Sequence, residues 1–162
     1  MEINEFKEIM NENAKKINIE FNDKQLEQFF EYMNLLIEWN EKINLTAITE
    51  PKEIIIKHFI DSLTINKYIE KNNKIVDVGT GAGFAGIPIK IYRPEVEVTL
   101  VDSLNKRINF LNEVISKLGL EKINTIHARA EELARTKKYR EKFDIVTSRA
   151  VANIKVLSEY LL

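Results

Sequence analysis

Four of the chain's five glycines fall within eight residues, in the stretch KIVDVGTGAGFAGIPI at positions 74–89. Gly79, Gly81 and Gly83 alternate with other residues, and Asp77 precedes them inside an apolar run. A glycine-rich turn between a strand and a helix lets the backbone approach a ligand closely and presents the amides of the helix N-terminus. The pattern therefore predicts a binding turn for a ligand of the nucleotide class.

The spacing of the glycines separates the ligand classes that use such turns. A phosphate-binding P-loop ends in Gly-Lys followed by Ser or Thr, and no such lysine follows Gly86. A dinucleotide site has the pattern G-x-G-x-x-G, whose sixth position is Phe84 when the count starts at Gly79. The pattern fits when the count starts at Gly81, but the end of the predicted strand favours a first glycine two residues earlier. A dinucleotide site therefore stays open as an alternative.

The series Asp77-x-Gly79-x-Gly81-x-Gly83 resembles the first motif of class I S-adenosylmethionine-dependent methyltransferases. In that class the turn passes under the amino-acid end of the cofactor, and the acid in the strand helps to hold the cofactor's ammonium group, often through water. The resemblance implies S-adenosyl-L-methionine as the cofactor. A strand-to-helix turn without any ligand is the remaining alternative.

A second acid supports a ligand of the nucleotide class. Asp102 ends the apolar run VTLVD, 19 residues after Gly83. Nucleotide-binding α/β folds place an acid about 20 residues beyond the glycines, where it accepts hydrogen bonds from the ribose hydroxyls. The alternative is a helix cap, for which Ser103 competes. Asp102 alone does not separate a methyltransferase from a dehydrogenase.

The periodicity of the apolar residues divides the chain near residue 73. Before it, helical spacing predicts helices over residues 2–16, 24–40 and 51–71. After it, predicted strands alternate with predicted helices, which indicates a parallel sheet with helices on both faces. The strands are expected at residues 75–78, 96–101, 123–127 and 143–147, and the helices at 84–92, 104–118, 131–136 and 153–162. We therefore expect an α/β Rossmann-like domain over residues 73–162 and an N-terminal helical subdomain over residues 1–72.

Composition narrows the classes of function. A net charge of −1 over 162 residues gives no support to a dedicated nucleic-acid binder. Lys137, Lys138, Arg140 and Lys142 form a local basic run, which is either an RNA-facing patch or a solvated loop. With no cysteine and two histidines, neither a disulfide nor a metal site is expected. No secretory signal or membrane span is predicted, so we expect a cytoplasmic protein without a membrane partner.

Five segments, taken in order, resemble the RsmG family of small-subunit ribosomal RNA (guanine-N7)-methyltransferases, also called glucose-inhibited division protein B. The segments are NEKINLTAIT (40–49), KHFIDSL (57–63), VDVGTGAGFAGIP (76–88), ARAEEL (128–133) and TSRAVA (147–152). The glycine motif is generic to class I methyltransferases, and its combination with HFIDSL and SRAVA is more specific. The resemblance implies one target, a guanine N7 in the 530 loop of 16S ribosomal RNA, met as naked RNA or within the small ribosomal subunit.

The resemblance, the glycine turn and the ribose argument together predict a set of cofactor-binding residues. They are Asp77, Gly79, Gly81, Gly83, Phe84, Asp102, Ser103, Leu104, Ala130, Glu131 and Arg149. The expected catalytic residues are Arg149, which is also in this set, and Ser148. Arg149 would hold RNA phosphate, the guanine carbonyl or the cofactor, and Ser148 would contact the base or the backbone. Guanine N7 carries a lone pair at neutral pH, so alignment and exclusion of water should matter more than a general base.

The sequence departs from the family at two places. Ala85 stands where the family usually has proline. Class I methyltransferases usually have seven strands, and the family continues for about another third of its length beyond Leu162. We therefore expect a truncated or natural short form with strand order 3-2-1-4. The fourth strand would be an exposed edge, able to pair with another chain, on a protein that is otherwise monomeric.

Three functions are compatible with these observations. The first is a ribosomal RNA guanine-N7 methyltransferase, or its cofactor-binding part. The second is a class I methyltransferase with another substrate, and the third is a cofactor-binding fragment without catalytic activity. A dehydrogenase is the competitor from another class.

Several polar or aromatic side chains have structural interpretations beside functional ones. His58 and Asp61 stand three residues apart on a predicted helix and could pair, and we expect a structural role for His58. Trp39 is expected in the core rather than as a platform for RNA bases, and His127 is expected to pack at a strand end. Glu132 begins a solvated helix or lies near the adenine ring.

Overall fold

The computed structural model describes residues 1–135, 142–150 and 153–158, and for residues 134–135, 149–150 and 153–158 it describes the backbone alone. The strands are β1 (Lys74–Val78), β2 (Glu97–Asp102), β3 (Ile123–His127), β4 (Ile145–Ala150) and β5 (Asn153–Ser158). The α-helices are α1 (Ile3–Lys15), α2 (Asp23–Asn40), α3 (Pro51–Glu53), α4 (Asp61–Leu63), α5 (Gly86–Tyr92), α6 (Asn105–Leu118) and α7 (Ala130–Arg135). A π-helix (Ile54–Ile60) joins α3 to α4, and a 3₁₀-helix (Thr64–Tyr68) follows α4.

The strands form one sheet in the order β3-β2-β1-β4-β5. Strands β1 to β4 are parallel, which confirms the predicted order 3-2-1-4. In register, Val78 of β1 lies beside Val101 of β2 on one side and Ser148 of β4 on the other. The carboxyl ends of these strands therefore meet at one edge of the sheet, where ligands bind in open α/β sheets.

The predicted helix over residues 153–162 is wrong where the structure describes it. Asn153–Ser158 is a strand that pairs antiparallel with β4. Only residues 151–152 separate the two strands, and so short a connection lets the chain return antiparallel but not parallel. The β-branched Ile154 and Val156 also favour a strand. Strand β4 is therefore paired on both sides, and the prediction that it forms an exposed edge is wrong.

The N-terminal helices pack on the sheet through a hydrophobic core that crosses residue 73. This core includes Phe6 of α1, Phe29 of α2 and Phe59 of the π-helix together with Val98 of β2 and Phe110 of α6. The division into two subdomains at residues 72 and 73 stays a prediction, because apolar contacts run continuously across this boundary. Among the helices that the structure describes, none is long and apolar enough to cross a membrane.

Local signals set the ends of the long helices. Asn22 caps α2, since its Oδ1 accepts the backbone N–H of Gln25 (2.8 Å) while the Gln25 side chain accepts the Asn22 N–H (2.9 Å). Gly119 ends α6 in the left-handed conformation, with φ +64°. Both ends lie within one residue of the predicted helix bounds at residues 24 and 118.

The segment after Glu50 places a π-helix beside the glycine turn. The Glu50 carboxylate accepts the backbone N–H groups of Lys52 (3.2 Å) and Glu53 (3.0 Å) and so caps the segment. The helical region predicted over residues 51–71 contains one α-turn, the π-helix, a second α-turn and the 3₁₀-helix. π-helical turns are rare and frequently occur at functional sites. This one carries His58 to the turn at the end of β1.

Candidate functional site

The turn after β1 depends on left-handed backbone at three alternating glycines. The φ angles are +65° at Gly79, +59° at Gly81 and +97° at Gly83, a region that residues with a Cβ atom avoid. A Cβ added at Gly79 or Gly81 would meet no atom within 4 Å. At these two positions the backbone conformation favours glycine, and the surface of the turn is open.

Gly83 and Gly86 serve a different purpose, since they let neighbouring elements approach the turn. A Cβ at Gly83 would lie 2.6 Å from Ile87 Cδ1, and one at Gly86 would lie 2.3 Å from Leu100 Cδ2. Helix α5 therefore packs directly on β2 through Gly86. Sequence reasoning used Gly86 only to count ligand motifs and missed this packing role, although the third glycine of the dinucleotide pattern commonly provides it.

Asp77 lies beneath the turn with its side chain 1% exposed. Its Oδ2 accepts hydrogen bonds from Thr80 Oγ1 (2.7 Å) and the Gly86 N–H (3.0 Å), and its Oδ1 accepts one from Thr147 Oγ1 (3.0 Å). The carboxylate thereby joins both ends of the turn to β4. The predicted contact of Asp77 with an ammonium group stays a prediction. Sequence reasoning missed both threonines, and the only local signal was that Thr80 stands between two glycines.

Asp102 fastens the end of β2 to the same turn. Its Oδ2 accepts the Gly81 N–H (2.9 Å) and its Oδ1 accepts the Leu104 N–H (2.9 Å). The Arg107 guanidinium lies 3.6 Å from Asp102 Oδ1. A carboxylate offers about four acceptor positions, so these contacts leave capacity for a further donor such as a ribose hydroxyl. The predicted ribose contact stays a prediction.

A cavity of about 400 Å³ opens beside Asp102, between the ends of β1, β2 and β3. Its lining residues are Gly79, Asp102, Ser103, Ala128, Arg129, Ala130 and Glu131. Five of them were predicted cofactor-binding residues, so the structure brings these together. Leu104 is 48% exposed at the start of α6 and does not line this cavity.

His127 borders this region rather than packing inside the protein. It is exposed, and its Nε2 donates a hydrogen bond to the Ser103 carbonyl (2.9 Å). The expectation that His127 packs at a strand end is therefore wrong, since β3 is an edge strand of the described sheet and its last residue faces solvent.

A larger cleft of about 850 Å³ lies on the other side of the turn. Its lining residues are Leu45, Thr46, Ile48, Ile56, Lys57, His58, Asp61, Gly79, Thr80, Gly81, Ala82, Phe84 and Arg107. Gly79 lines both the cleft and the smaller cavity, so the two spaces meet at the first glycine. Gly81 and Phe84, also predicted as cofactor-binding residues, line only the cleft.

A stacked pair of rings forms one wall of this cleft. The His58 imidazole lies on the Phe84 ring with centroids 4.1 Å apart and planes 13° apart. His58 Nε2 is 2.9 Å from Thr46 Oγ1, which accepts the Ile48 N–H (3.0 Å). Asn40 Oδ1 accepts the Thr46 N–H (3.0 Å). His58 thus has the structural role that was expected, and it also joins the segment around residue 46 to the glycine turn.

Helix α2 supports the turn from behind. The Tyr32 hydroxyl donates a hydrogen bond to the Ala82 carbonyl, and its ring stacks on Phe59 with centroids 5.1 Å apart. Trp39 lies edge-on against Phe110 at 5.7 Å and packs on the core, as expected. The N-terminal helices therefore hold the glycine turn as well as completing the core.

Behind the turn, Lys90 of α5 is buried. Its Nζ donates hydrogen bonds to the carbonyls of Pro94 (3.0 Å) and Val96 (2.5 Å). Burial lowers the pKa of Lys90 from 10.5 to about 8, because the charged ammonium loses its hydration. Lys90 therefore anchors the connection between α5 and β2.

The two predicted catalytic residues follow one another on β4. Ser148 is half-buried and pairs with Val78, the residue that precedes Gly79 in the chain. It therefore lies at the carboxyl edge of the sheet, next to the turn. The backbone of Arg149 pairs with that of Ile154, and the Arg149 side chain lies outside the described part of the structure. The predicted roles of Ser148 and Arg149 stay predictions.

Two further sequence-based expectations concern basic residues and metals. Lys137, Lys138 and Arg140 lie outside the described residues, and Lys142 is exposed. In the described ranges, no group of three or more His, Asp or Glu side chains is placed to hold a metal ion. The proposal of a basic RNA-facing patch therefore stays a prediction.

The matching family model and the similar sequences agree on one family. The model of the family described as GidB, rRNA small subunit methyltransferase G, matches residues 25–162. Ribosomal RNA small subunit methyltransferase G of Clostridium novyi is 56% identical over 159 residues, 97% of this chain and 65% of that protein. The protein of the same description from Desulforamulus reducens is 60% identical over 151 residues, 92% and 63% of the two chains. The chain thus spans less than two thirds of the length of these curated relatives.

Solved structures share the fold at low sequence identity. A Plasmodium falciparum protein described as a protein-L-isoaspartate O-methyltransferase, in complex with S-adenosyl-L-homocysteine, superposes with TM-score 0.56 and 17% identity, over 90% of this chain and 73% of that one. MtNAS in complex with MTA and tNA superposes with TM-score 0.50 and 19% identity, over 93% and 62%. These likenesses confirm the α/β fold class.

Proposed function

The chain belongs to the rRNA small subunit methyltransferase G family, and from that premise we propose that it binds S-adenosyl-L-methionine and serves methyl transfer to N7 of one guanine in the 530 loop of 16S ribosomal RNA. The observation that carries the proposal is the meeting of two spaces at Gly79. One is a cavity next to Asp102 and Glu131, and the other is a larger cleft behind the bare backbone of Gly81. The first suits an adenosine group, and the second has room for both the amino-acid end and a methyl acceptor.

The charges around the turn favour a sulfonium cofactor over a dinucleotide. A pyrophosphate would need backbone N–H groups and a positive environment at the start of α5. Here the Gly86 N–H is donated to the buried carboxylate of Asp77, and the Gly81 N–H is donated to Asp102. The Asp77 carboxylate occupies the N–H at the start of α5, and its negative charge there disfavours a phosphate and favours the ammonium group of S-adenosyl-L-methionine. The residues present therefore fit this cofactor.

S-adenosyl-L-methionine supplies a methyl group that is activated by its bond to a positively charged sulfur. The chain's own residues would hold and shield it: the backbone at Gly79 and Gly81 allows close approach, and Asp102 and Glu131 offer acceptors for ribose hydroxyls. The His58–Phe84 stack closes one side of the cleft against water. Because guanine N7 has no proton to lose, such alignment and water exclusion can account for the catalysis.

The proposal extends to the acceptor and to the setting of the reaction. Ser148, at the edge of the sheet beside Val78, is placed to contact the base or its backbone, and Arg149 follows it as the residue for phosphate, guanine carbonyl or cofactor. The partner is 16S ribosomal RNA or the small ribosomal subunit, and such a substrate places the reaction in the cytoplasm. We propose a monomer, with no metal ion in the chemistry.

Calorimetry with S-adenosyl-L-methionine and NAD on the same preparation tests the choice of cofactor. We expect binding of the former alone, and binding of NAD alone would overturn the proposal. Replacing Asp102 by Asn should weaken the binding of S-adenosyl-L-methionine, and replacing the exposed Asp23 by Asn provides a control with the same change of charge.

Transfer of a labelled methyl group to small ribosomal subunits, compared with free 16S ribosomal RNA, tests the acceptor. The same assay on a chain of the full length of the relatives shows what the remaining residues contribute. Transfer to a guanine N7 by either chain supports the proposal. If this chain binds the cofactor but only the longer chain transfers the methyl group, the result favours the alternative that this chain is a cofactor-binding part that needs further residues for catalysis. Transfer by neither chain contradicts the proposed reaction.

A further inference from the structure

One carboxylate stands among the residues that line the larger cleft. Asp61 begins α4 directly after the π-helix, half-buried, one helical turn beyond His58. The cleft is bounded on one side by residues 45–61 and on the other by residues 79–84, with Arg107 completing it. Asp61 belongs to the first of these walls, whereas the glycine turn forms the second.

Apolar side chains on the same wall offer a surface on which the flat ring of a base can pack. Leu45, Ile48 and Ile56 line the cleft, and Ile56 is 40% exposed. Enzymes that modify a base take it out of the stack, hold it against apolar or aromatic side chains and read its Watson–Crick edge by hydrogen bonds. The cleft therefore combines an apolar surface with one acceptor-only group.

The chemistry of the purine edges decides which base fits such a group. Guanine presents two neighbouring donors, N1–H and the 2-amino group, to which a carboxylate can offer both its oxygens. Adenine presents the N1 lone pair at the same place, which a carboxylate repels. A carboxylate has about four acceptor positions, so Asp61 can accept these donors in addition to its contacts within the protein. Hydrogen bonds to a charged acceptor are also about twice as strong as neutral ones.

The position of N7 on the ring agrees with this arrangement. N7 lies on the Hoogsteen edge of the purine, which adjoins the Watson–Crick edge at O6, so its lone pair points at about a right angle to the N1–H bond. A guanine held at its Watson–Crick edge by the wall that carries Asp61 would therefore direct N7 along the cleft rather than into that wall, and Gly79 lies where the cleft meets the smaller cavity. We propose that Asp61 is the specificity-determining residue of the cleft, and that it selects guanine by accepting hydrogen bonds from N1–H and the 2-amino group. This inference rests on the proposed function, since the turn must hold the methyl donor.

Binding of mononucleotides to the whole chain, saturated with S-adenosyl-L-homocysteine, tests the inference. GMP, IMP and AMP at millimolar concentration serve as probes, and amide chemical shifts of residues 45–61 and 79–84 report binding. Since IMP lacks the 2-amino group, we expect wild type to bind GMP several-fold more tightly than IMP and at least tenfold more tightly than AMP. In Asp61→Asn the affinity for GMP should fall to that for AMP. Glu70→Gln removes an exposed charge outside both the cleft and the smaller cavity and should leave the order unchanged.

The outcomes separate this inference from the function on which it rests. Asp61→Asn must still bind S-adenosyl-L-homocysteine as wild type does, which shows that the fold and the turn are intact. If wild type binds S-adenosyl-L-homocysteine but shows no GMP shifts, or binds AMP as tightly as GMP, the inference is wrong while the cofactor proposal stands. An unchanged GMP preference in Asp61→Asn also overturns it. Wild type that binds no S-adenosyl-L-homocysteine overturns the proposed function and this inference together.

Discussion

Alanine in place of Gly81 separates the cost of a backbone conformation from the loss of a ligand. Gly81 has φ +59° and Gly119 has φ +64°, and a Cβ at either position would meet no atom within 4 Å. The left-handed conformation costs a residue with a Cβ about 1–2 kcal/mol, and the lower entropy of the unfolded alanine chain offsets about 0.5–1 kcal/mol. Each variant should therefore lose about 1 kcal/mol, or roughly 2–4 °C in Tm for a chain of this size.

The two variants should differ in ligand binding. The Gly81 backbone lines the larger cleft, so an added methyl group would project into the space in which we propose that the cofactor binds. Gly119 ends α6 and lines neither of the two spaces that meet at Gly79. We expect the affinity for S-adenosyl-L-methionine to fall at least tenfold, about 1.4 kcal/mol, in Gly81→Ala and to stay unchanged in Gly119→Ala. Urea unfolding and calorimetry measure the two quantities. Equal affinities, or a loss of stability in Gly81→Ala several times that in Gly119→Ala, would refute the reasoning.

Three further predictions concern the surroundings of the turn. Gly86→Ala should destabilise the fold by about 1–3 kcal/mol through overpacking, since its methyl would lie 2.3 Å from a β2 side chain. If its free energy of unfolding falls by less than that of an exposed substitution without strain, this prediction is wrong. Tyr32→Phe leaves the buried Ala82 carbonyl without its donor and should cost about 1–3 kcal/mol in urea unfolding, whereas Tyr68→Phe, an exposed control, should cost almost nothing. Burial lowers the pKa of Lys90 to about 8. Between about pH 8 and 10.5 the unfolded chain therefore keeps a proton on this group that the folded chain has released. The free energy of unfolding consequently rises with pH in that window. Replacing Lys90 by Met should remove this rise in the free energy of unfolding, which is of the order of 3 kcal/mol. If the free energy of unfolding depends on pH in the same way in both proteins, the assignment of the rise to Lys90 is wrong.

Local patterns in the sequence predict the frame of the site because each depends on residues close together in the chain. The spacing of Gly79, Gly81 and Gly83 marks the turn, and the structure has all three in conformations that glycine favours. Asn22 and Gly119 mark helix ends through contacts within a few residues. Alternation of apolar runs with helical periods predicts the four parallel strands, and parallel strands bring their carboxyl ends to one edge.

The last segment shows where such patterns are insufficient. Residues 153–158 contain apolar residues whose spacing is compatible with a helix or a strand, and pairing with β4 decides between them. The pairing joins the segment to residues of β4, from Ala150 opposite Asn153 to Ile145 opposite Ser158. These partners lie outside the segment, so its own apolar period does not reveal them.

By itself, the sequence determined the alternation of strands and helices and the glycine turn, since periodicity and glycine spacing are properties of short stretches. The order of the four parallel strands was expected from the resemblance to class I methyltransferases. Tertiary structure decided how the acids and rings around the turn are used. Asp77 faces inward to Thr147, 70 residues away, and His58 stacks on Phe84, which puts the wall carrying Asp61 beside the glycine turn. A side chain's partner across the fold depends on how helices pack on the sheet, and no local pattern carries that information.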